Sequence, residues 1–130
     1  MGITKKSIHS QDQIEIAKLF KALGHPARIA IVEALLIHKN LNCTDLKFYI
    51  SLSQSTISTH LKELHEVGIL SLRNEKNCAY YEVNKLALEQ ITDYLNQVYK
   101  QIDKKNYNLI NNFFNPYRKI IHKNFQNNSC

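Results

Sequence analysis

Apolar residues recur at helical spacing through most of this chain. In residues 12–23, DQIEIAKLFKAL, the positions Ile14, Ala17, Leu19 or Phe20, and Leu23 predict a first amphipathic helix. Gly24-His25-Pro26 interrupts it, and Pro26 suits the first turn of a second helix, where its missing N–H is not needed. That helix, ARIAIVEALLIHK, carries Ile29, Val32 and Leu36 on one stripe with Ile31 and Leu35 beside it, which predicts burial on more than one side. After the polar break at 40–43, Asn42 or Thr44 can cap a short third helix, TDLKFYI, ending near Ile50. Ser53 is placed to cap a fourth, QSTISTHLKELHEV. Its Ile57, Leu61 and Leu64 form a narrow stripe at i, i+4 and i+7, and Gly68 ends it as a left-handed residue would.

The period then shortens. Residues 69–73, ILSLR, read as a strand, Asn74 to Asn77 as a turn, and CAYYEV as the returning strand. Alternation puts Ala79, Tyr81 and Val83 on one face and Tyr80 and Glu82 on the other. Asn84 can cap a last long helix, KLALEQITDYLNQVYKQID. Here Leu88, Ile91, Leu95, Val98 and Ile102 recur at spacings of three and four, a heptad seam. The seam can pack on the first helix, pair with a second copy, or do both. Beyond it, Ile110, Phe113, Phe114, Tyr117 and Ile121 still fit one helical face, with a break expected at Asn115-Pro116. The element order is that of a winged helix-turn-helix, mainly α with a small β-hairpin wing. We expect residues 12–105 to form the DNA-binding and dimerisation domain and 106–130 a helical, aromatic and basic extension.

Composition narrows the classes. The 130 residues suit one domain, and 44% hydrophobic with 22% charged residues describes a globular chain rather than a disordered one. No apolar run approaches the roughly eighteen residues of a membrane span, and the N-terminus lacks an apolar signal region, so a cytoplasmic protein is expected. The net charge of +6 is unevenly placed: residues 1–103 carry 12 Lys/Arg against 11 Asp/Glu, whereas 104–130 carry five Lys/Arg and no acid. The basic character is mostly a tail property and does not itself locate a contact surface. Three widely spaced cysteines, with no CxxC or HExxH pair, speak against a disulfide scaffold and a zinc enzyme. No nucleophile stands beside a base and no phosphate loop is present, so no enzyme and no cofactor is expected.

The chemistry therefore lies in the fourth helix and the wing. A helix about 10–12 Å across fits the major groove of duplex DNA. Gln54, Ser55, Ser58, Thr59 and Lys62 lie opposite the apolar stripe, with Thr56 and His60 on the same helix. Gln can bond adenine at two points, and hydroxyls donate or accept. Ser53, Ser55 and the free N–H groups of the first turn can hold a phosphate. Arg73, Lys76, Asn77 and Tyr80 are the wing's candidates for the DNA backbone or the minor groove. His60 is expected either to touch a phosphate or to pack beneath the wing, and His25 to make an interhelix contact beside Pro26.

These residues carry a family resemblance. LGHPARIAIVEAL (23–35), LSQSTISTHLKELHEVGIL (52–70) and LRNEKNCAYYEVN (72–84) resemble, in order and spacing, the opening, recognition segment and wing of ArsR/SmtB-type transcriptional regulators. The resemblance covers about residues 12–100. It implies a homodimeric winged-helix repressor that binds an imperfect inverted repeat in operator DNA and leaves it when an effector binds. It also implies a dimer through the first and last helices, here Ile14 with Leu88, Ile91, Leu95, Val98 and Ile102. Two-fold symmetry then places the recognition helices in successive major grooves about 34 Å apart.

The chain departs from the metal-sensing members. Where they carry a pattern like LCVCDL, this chain has LNCTDL (41–46), with Asn42 and Thr44 at the ligand positions and Cys43 between them. The last helix contains no His and offers only Glu89, Asp93 and Asp103. No metal site is expected. Cys43 and Cys78 remain as thiol-sensor candidates, if Cys43 meets Cys78, Cys130 or a partner's thiol within about 7 Å between Cα atoms. Two alternatives to an operator-binding repressor stand: a winged-helix protein-interaction module working through its aromatic tail, and a thiol-based redox-responsive regulator.

Overall fold

The computed structural model describes residues 8–110, with side chains as far as residue 104. Five helices and a hairpin follow in the order α1 (Gln11–Leu23), α2 (Pro26–Ile37), α3 (Cys43–Leu46), α4 (Gln54–Glu66), β1 (Leu70–Glu75), β2 (Cys78–Val83) and α5 (Lys85–Ile110). The fold is mainly helical with a two-stranded antiparallel wing, a winged helix-turn-helix.

Local signals set the helix starts. Ser10 caps α1 through a reciprocal pair: its Oγ accepts from Gln13 N at 3.1 Å, and its own N–H donates to Gln13 Oε1 at 2.9 Å. His25 caps α2, its Nδ1 accepting from Ala27 N at 3.1 Å, with Pro26 in the first turn. Asn42, one of the two residues able to cap α3, does so in a second reciprocal pair with Asp45. α3 is shorter than expected. The helix ends at Leu46, and residues 47–50 continue as turns that close with Ile50 N donating to Leu46 O at 2.9 Å, Ile50 itself being buried. Ser53 caps α4, and Asn84 Oδ1 accepts from Leu86 N at the start of α5.

Burial corrects two stripes. On α1 the inward residues are Leu19 and Ala22 with Ile16 and Leu23 packed beside them; Ile14 is half-buried, and Ala17 and Phe20 are exposed. On α2, Ile31, Val32, Ala34 and Leu35 enter the core while Ile29, Leu36 and Ile37 stay exposed, so α2 is covered on one broad side and not on more than one as expected. On α4 the expectation holds without change: Ile57, Leu61 and Leu64 are fully buried.

The end of α4 organises the wing. Gly68 sits at φ +84, its N–H bonds His65 O at 3.0 Å, and Ile69 N bonds Leu64 O at 3.0 Å, the paired bonds of a Schellman cap. Asn84 closes the corner, donating from its backbone N–H to Ile69 O at 2.8 Å and from Nδ2 to Gly68 O at 3.0 Å. β1 and β2 pair from Leu70↔Val83 to Glu75↔Cys78. The turn is therefore only Lys76-Asn77, tighter than the four residues expected. Both adopt positive φ, 47° and 65°, which gives a two-residue turn whose twist matches the strands and lets them pair further out.

Contacts divide the chain into two units, the first ending at Tyr94 and the second beginning at Leu95, both within the span of α5. In the first unit Ala87 is buried, Ile91 packs on the core, and Tyr94 meets Phe20 edge-on at 5.7 Å. In the second, Leu95, Val98, Tyr99 and Ile102 are exposed. α5 runs on to Ile110, past the helix end expected at Asp103. The Asn115-Pro116 break, the aromatic face from Phe113 to Ile121, and Cys130 lie outside the described residues.

Gly68→Ala should lower stability by about 1–2 kcal/mol, because a Cβ meets nothing within 4 Å there and only the left-handed backbone resists it. A urea titration checks this; an unchanged midpoint would remove the cap from the account.

Candidate nucleic-acid interface

With Ile57, Leu61 and Leu64 fixed inward, the opposite side of α4 is turned to solvent. Gln54, Ser55, Ser58, Thr59 and Lys62 are all exposed, so the structure brings these five predicted residues onto one free face. Their side chains are partly ordered already. Ser53 Oγ accepts from Thr56 N at 3.3 Å and lies 3.1 Å from Ser55 Oγ and 2.8 Å from Thr56 Oγ1, so the half-buried Thr56 serves the helix start. Thr59 Oγ1 donates back to Ser55 O at 3.0 Å. Lys62 is 76% exposed, with Glu66 3.9 Å away.

α3 braces the first turn of this helix. Gln54 Nε2 donates to Thr44 Oγ1 at 3.5 Å, and the Cys43 thiol points at Gln54 O at 3.6 Å. Burial pushes the Cys43 thiol above its ordinary pKa, with Lys47 opposing. Burial also pushes up the Tyr81 phenol, with a smaller contribution from Cys43.

His60 does not share the free face. Its side chain is only 12% exposed, its ring centre lies 4.6 Å from that of His25, and its Nδ1 is 3.7 Å from the Glu63 carboxylate. The same carboxylate pairs with Arg28 Nη1 at 2.9 Å. His60 thus packs toward the start of α2 rather than toward a ligand, because the 100° advance per residue carries it round from Thr59 to the α2 side. Arg28 and Glu63, which tie α2 to α4, were not singled out from the sequence. They stand 35 residues apart, and no period or motif links them.

The wing divides its predicted residues. Lys76 and Asn77 form the exposed tip, and Lys76 has no ion-pair partner among the described residues. Arg73 is occupied. It pairs through Nη1 with Glu75, through Nε with Glu82 at 3.4 Å, and donates from Nη2 to Asn40 Oδ1 at 2.7 Å, while its guanidinium lies 5.2 Å from the centre of the Tyr80 ring. The two carboxylates, Glu75 first and then Glu82, raise its pKa further against an opposing effect of desolvation. Tyr80 is thereby a platform for Arg73, and its phenol is pushed up chiefly by the neighbouring Cys78. Cys78 faces Glu75 across the hairpin; both it and Cys43 are free and half-buried. Among the described residues no group of three His, Cys, Asp or Glu is arranged to hold a metal, and no helix is long and apolar enough to cross a membrane.

Residues 25–71 match the family described as bacterial regulatory protein, arsR family. The chain is 32% identical over 89 residues to a cadmium resistance transcriptional regulatory protein CadC homolog of Staphylococcus aureus, covering 68% of this chain and 74% of that protein. It is 37% identical over 83 residues to the transcriptional repressor PagR of Bacillus anthracis, covering 63% and 82%. The crystal structure of PagR superposes with a TM-score of 0.54 over 64% of this chain and 94% of that one, at 34% identity. An ArsR-like regulator from Rhodococcus sp. RHA1 shares the fold at a TM-score of 0.69 and 19% identity, over 77% and 93%. The free polar face of α4, the wing beside it and these likenesses together place the chain in the ArsR family of DNA-binding winged-helix transcriptional regulators, a family of regulators and not of enzymes.

Proposed function

We propose that this protein is a homodimeric cytoplasmic repressor that holds an inverted-repeat operator and is released from it by an effector. The observation that carries this reading is the α4 face: five polar residues turned to solvent by three fully buried ones. Gln54, Ser55, Ser58 and Thr59 read base edges in the major groove, with Ser53, Lys62, Lys76 and Asn77 on phosphates. The dimer forms through the half-buried Ile14, Leu88 and Ile91 of the first unit and the exposed Leu95, Val98 and Ile102 of the second; the last three are apolar side chains at heptad spacing that a second copy covers. The repressor sense is supported by the likeness to PagR, named a transcriptional repressor. Cadmium, in the name of the other relative, is not carried over: Asn42 and Thr44 lack the donors that a soft metal needs.

Footprinting on the DNA upstream of the protein's own coding region should protect a palindrome with half-sites about one helical turn apart. No protected palindrome, or a strictly monomeric protein in sedimentation, would overturn the reading. Gln54→Ala or Thr59→Ala should cost about 1–3 kcal/mol at selected base pairs and little on unrelated duplex. Lys76→Gln should weaken binding to every sequence and flatten the slope of log K against log salt by about one.

The raised pKa of Cys43 runs against a thiol sensor, which needs thiolate at neutral pH. Cys43 should alkylate with iodoacetamide more slowly at pH 7.5 in the folded protein than in urea, as read by peptide mass mapping. Equal rates would restore the thiol reading.

A further inference from the structure

Arg73 is a basic side chain on a DNA-binding wing, the usual profile of a phosphate ligand. Its surroundings argue for another task. Strand pairing puts Ser71, Arg73 and Glu75 on one face of the hairpin with Cys78, Tyr80 and Glu82, so Arg73 lies between two carboxylates and over an aromatic ring. Three of its nitrogens are engaged: Nη1 by Glu75, Nε by Glu82, and Nη2 by Asn40. One N–H on each terminal nitrogen remains, but a phosphate drawn to it would sit beside the Glu75 and Glu82 carboxylates. Coulomb repulsion from those two charges opposes the single new pair.

The bond to Asn40 gives the arrangement a use. Asn40 lies in the connection between α2 and α3 at φ +60, and the next residue, Leu41, accepts from Tyr81 N at 3.4 Å. Two adjacent residues thus tie the wing to the segment that leads into α3, and α3 braces the first turn of α4 through Thr44 and Cys43. We propose that Arg73 is a positioning residue: it sets the wing tip, Lys76-Asn77, relative to the recognition helix, and it keeps its bonds to Glu75, Glu82 and Asn40 when duplex binds. This rests on the operator-binding reading above.

The test is the salt dependence of operator binding for the full chain and its variants, with thermal melting to confirm that each is folded. Arg73→Gln should weaken binding roughly three- to tenfold while leaving the slope of log K against log salt unchanged, whereas Lys76→Gln lowers that slope by about one. Arg73→Lys keeps the charge but not the planar fork and should behave as Arg73→Gln does. Asn40→Gly preserves the left-handed backbone and removes only the acceptor, so it should weaken binding with no change of slope. The Arg73→Gln/Asn40→Gly double variant should bind no worse than Arg73→Gln alone. A slope reduced by about one in Arg73→Gln makes Arg73 a phosphate ligand and overturns the inference. So does full affinity in Arg73→Gln, Arg73→Lys or Asn40→Gly. Should Arg73→Gln not fold, Arg73→Lys and Asn40→Gly decide alone. Failure of the wild-type protein to bind any duplex specifically removes the operator reading and this one with it; any of the other results removes only this one.

Discussion

The seating of α4 by Ile57, Leu61 and Leu64 is the contact on which the rest of the structure depends. Each is fully buried, and burying a side chain of that size contributes about 1.5–3 kcal/mol before entropy is counted. Because the stripe is narrow, it permits one rotation of the helix about its axis. A slip of one residue turns the helix by about 100° and would put Ser58 and Lys62 into the core. The outward face is thus a consequence of the inward one. The buried run continues past the cap into Ile69 and Leu70, so the same packing that orients the helix anchors the root of the wing.

Around this apolar seat lie polar ties with directional geometry. Arg28 and Glu63 join α2 to α4, with the His25 and His60 rings alongside. Asn84 joins the α4 cap to the start of α5. Arg73 joins both wing strands to the α2–α3 connection. None of these replaces hydrophobic burial as a source of stability, since partly exposed pairs contribute little. They limit how the recognition helix, α3 and the wing can shift against one another.

The charge distribution acquires meaning in this setting. Residues 1–103 are nearly balanced, and on the wing Arg73 is matched by Glu75 and Glu82. Among the described residues near the recognition face, the cations without a close carboxylate are Lys76 on the wing and Lys47 beside Cys43, with Lys62 loosely paired. A wing whose arginine is already paired adds less to sequence-blind attraction to phosphate than its basic residues suggest. Counting basic residues overstates such a surface, because a count does not register a carboxylate across the strand.

Much of this was legible in the chain itself. Period and capping chemistry are local: the α4 stripe, Ser53 and Asn84 as caps, Asn42 as one of two candidate caps, Gly68 as helix terminator and the shared face of Ala79, Tyr81 and Val83 all depend on neighbours within a few residues, and all were readable in order; that Tyr81 and Val83 turn toward the core was not. Tertiary structure decided which of two apolar faces α1 and α2 turn inward, that His60 faces His25 instead of solvent, and that Arg73 is bound to Asn40 from 33 residues away. Those outcomes depend on groups brought together only by folding. An amphipathic pattern names an element and its period, but which partner meets each side chain is settled by the packing of the elements against one another.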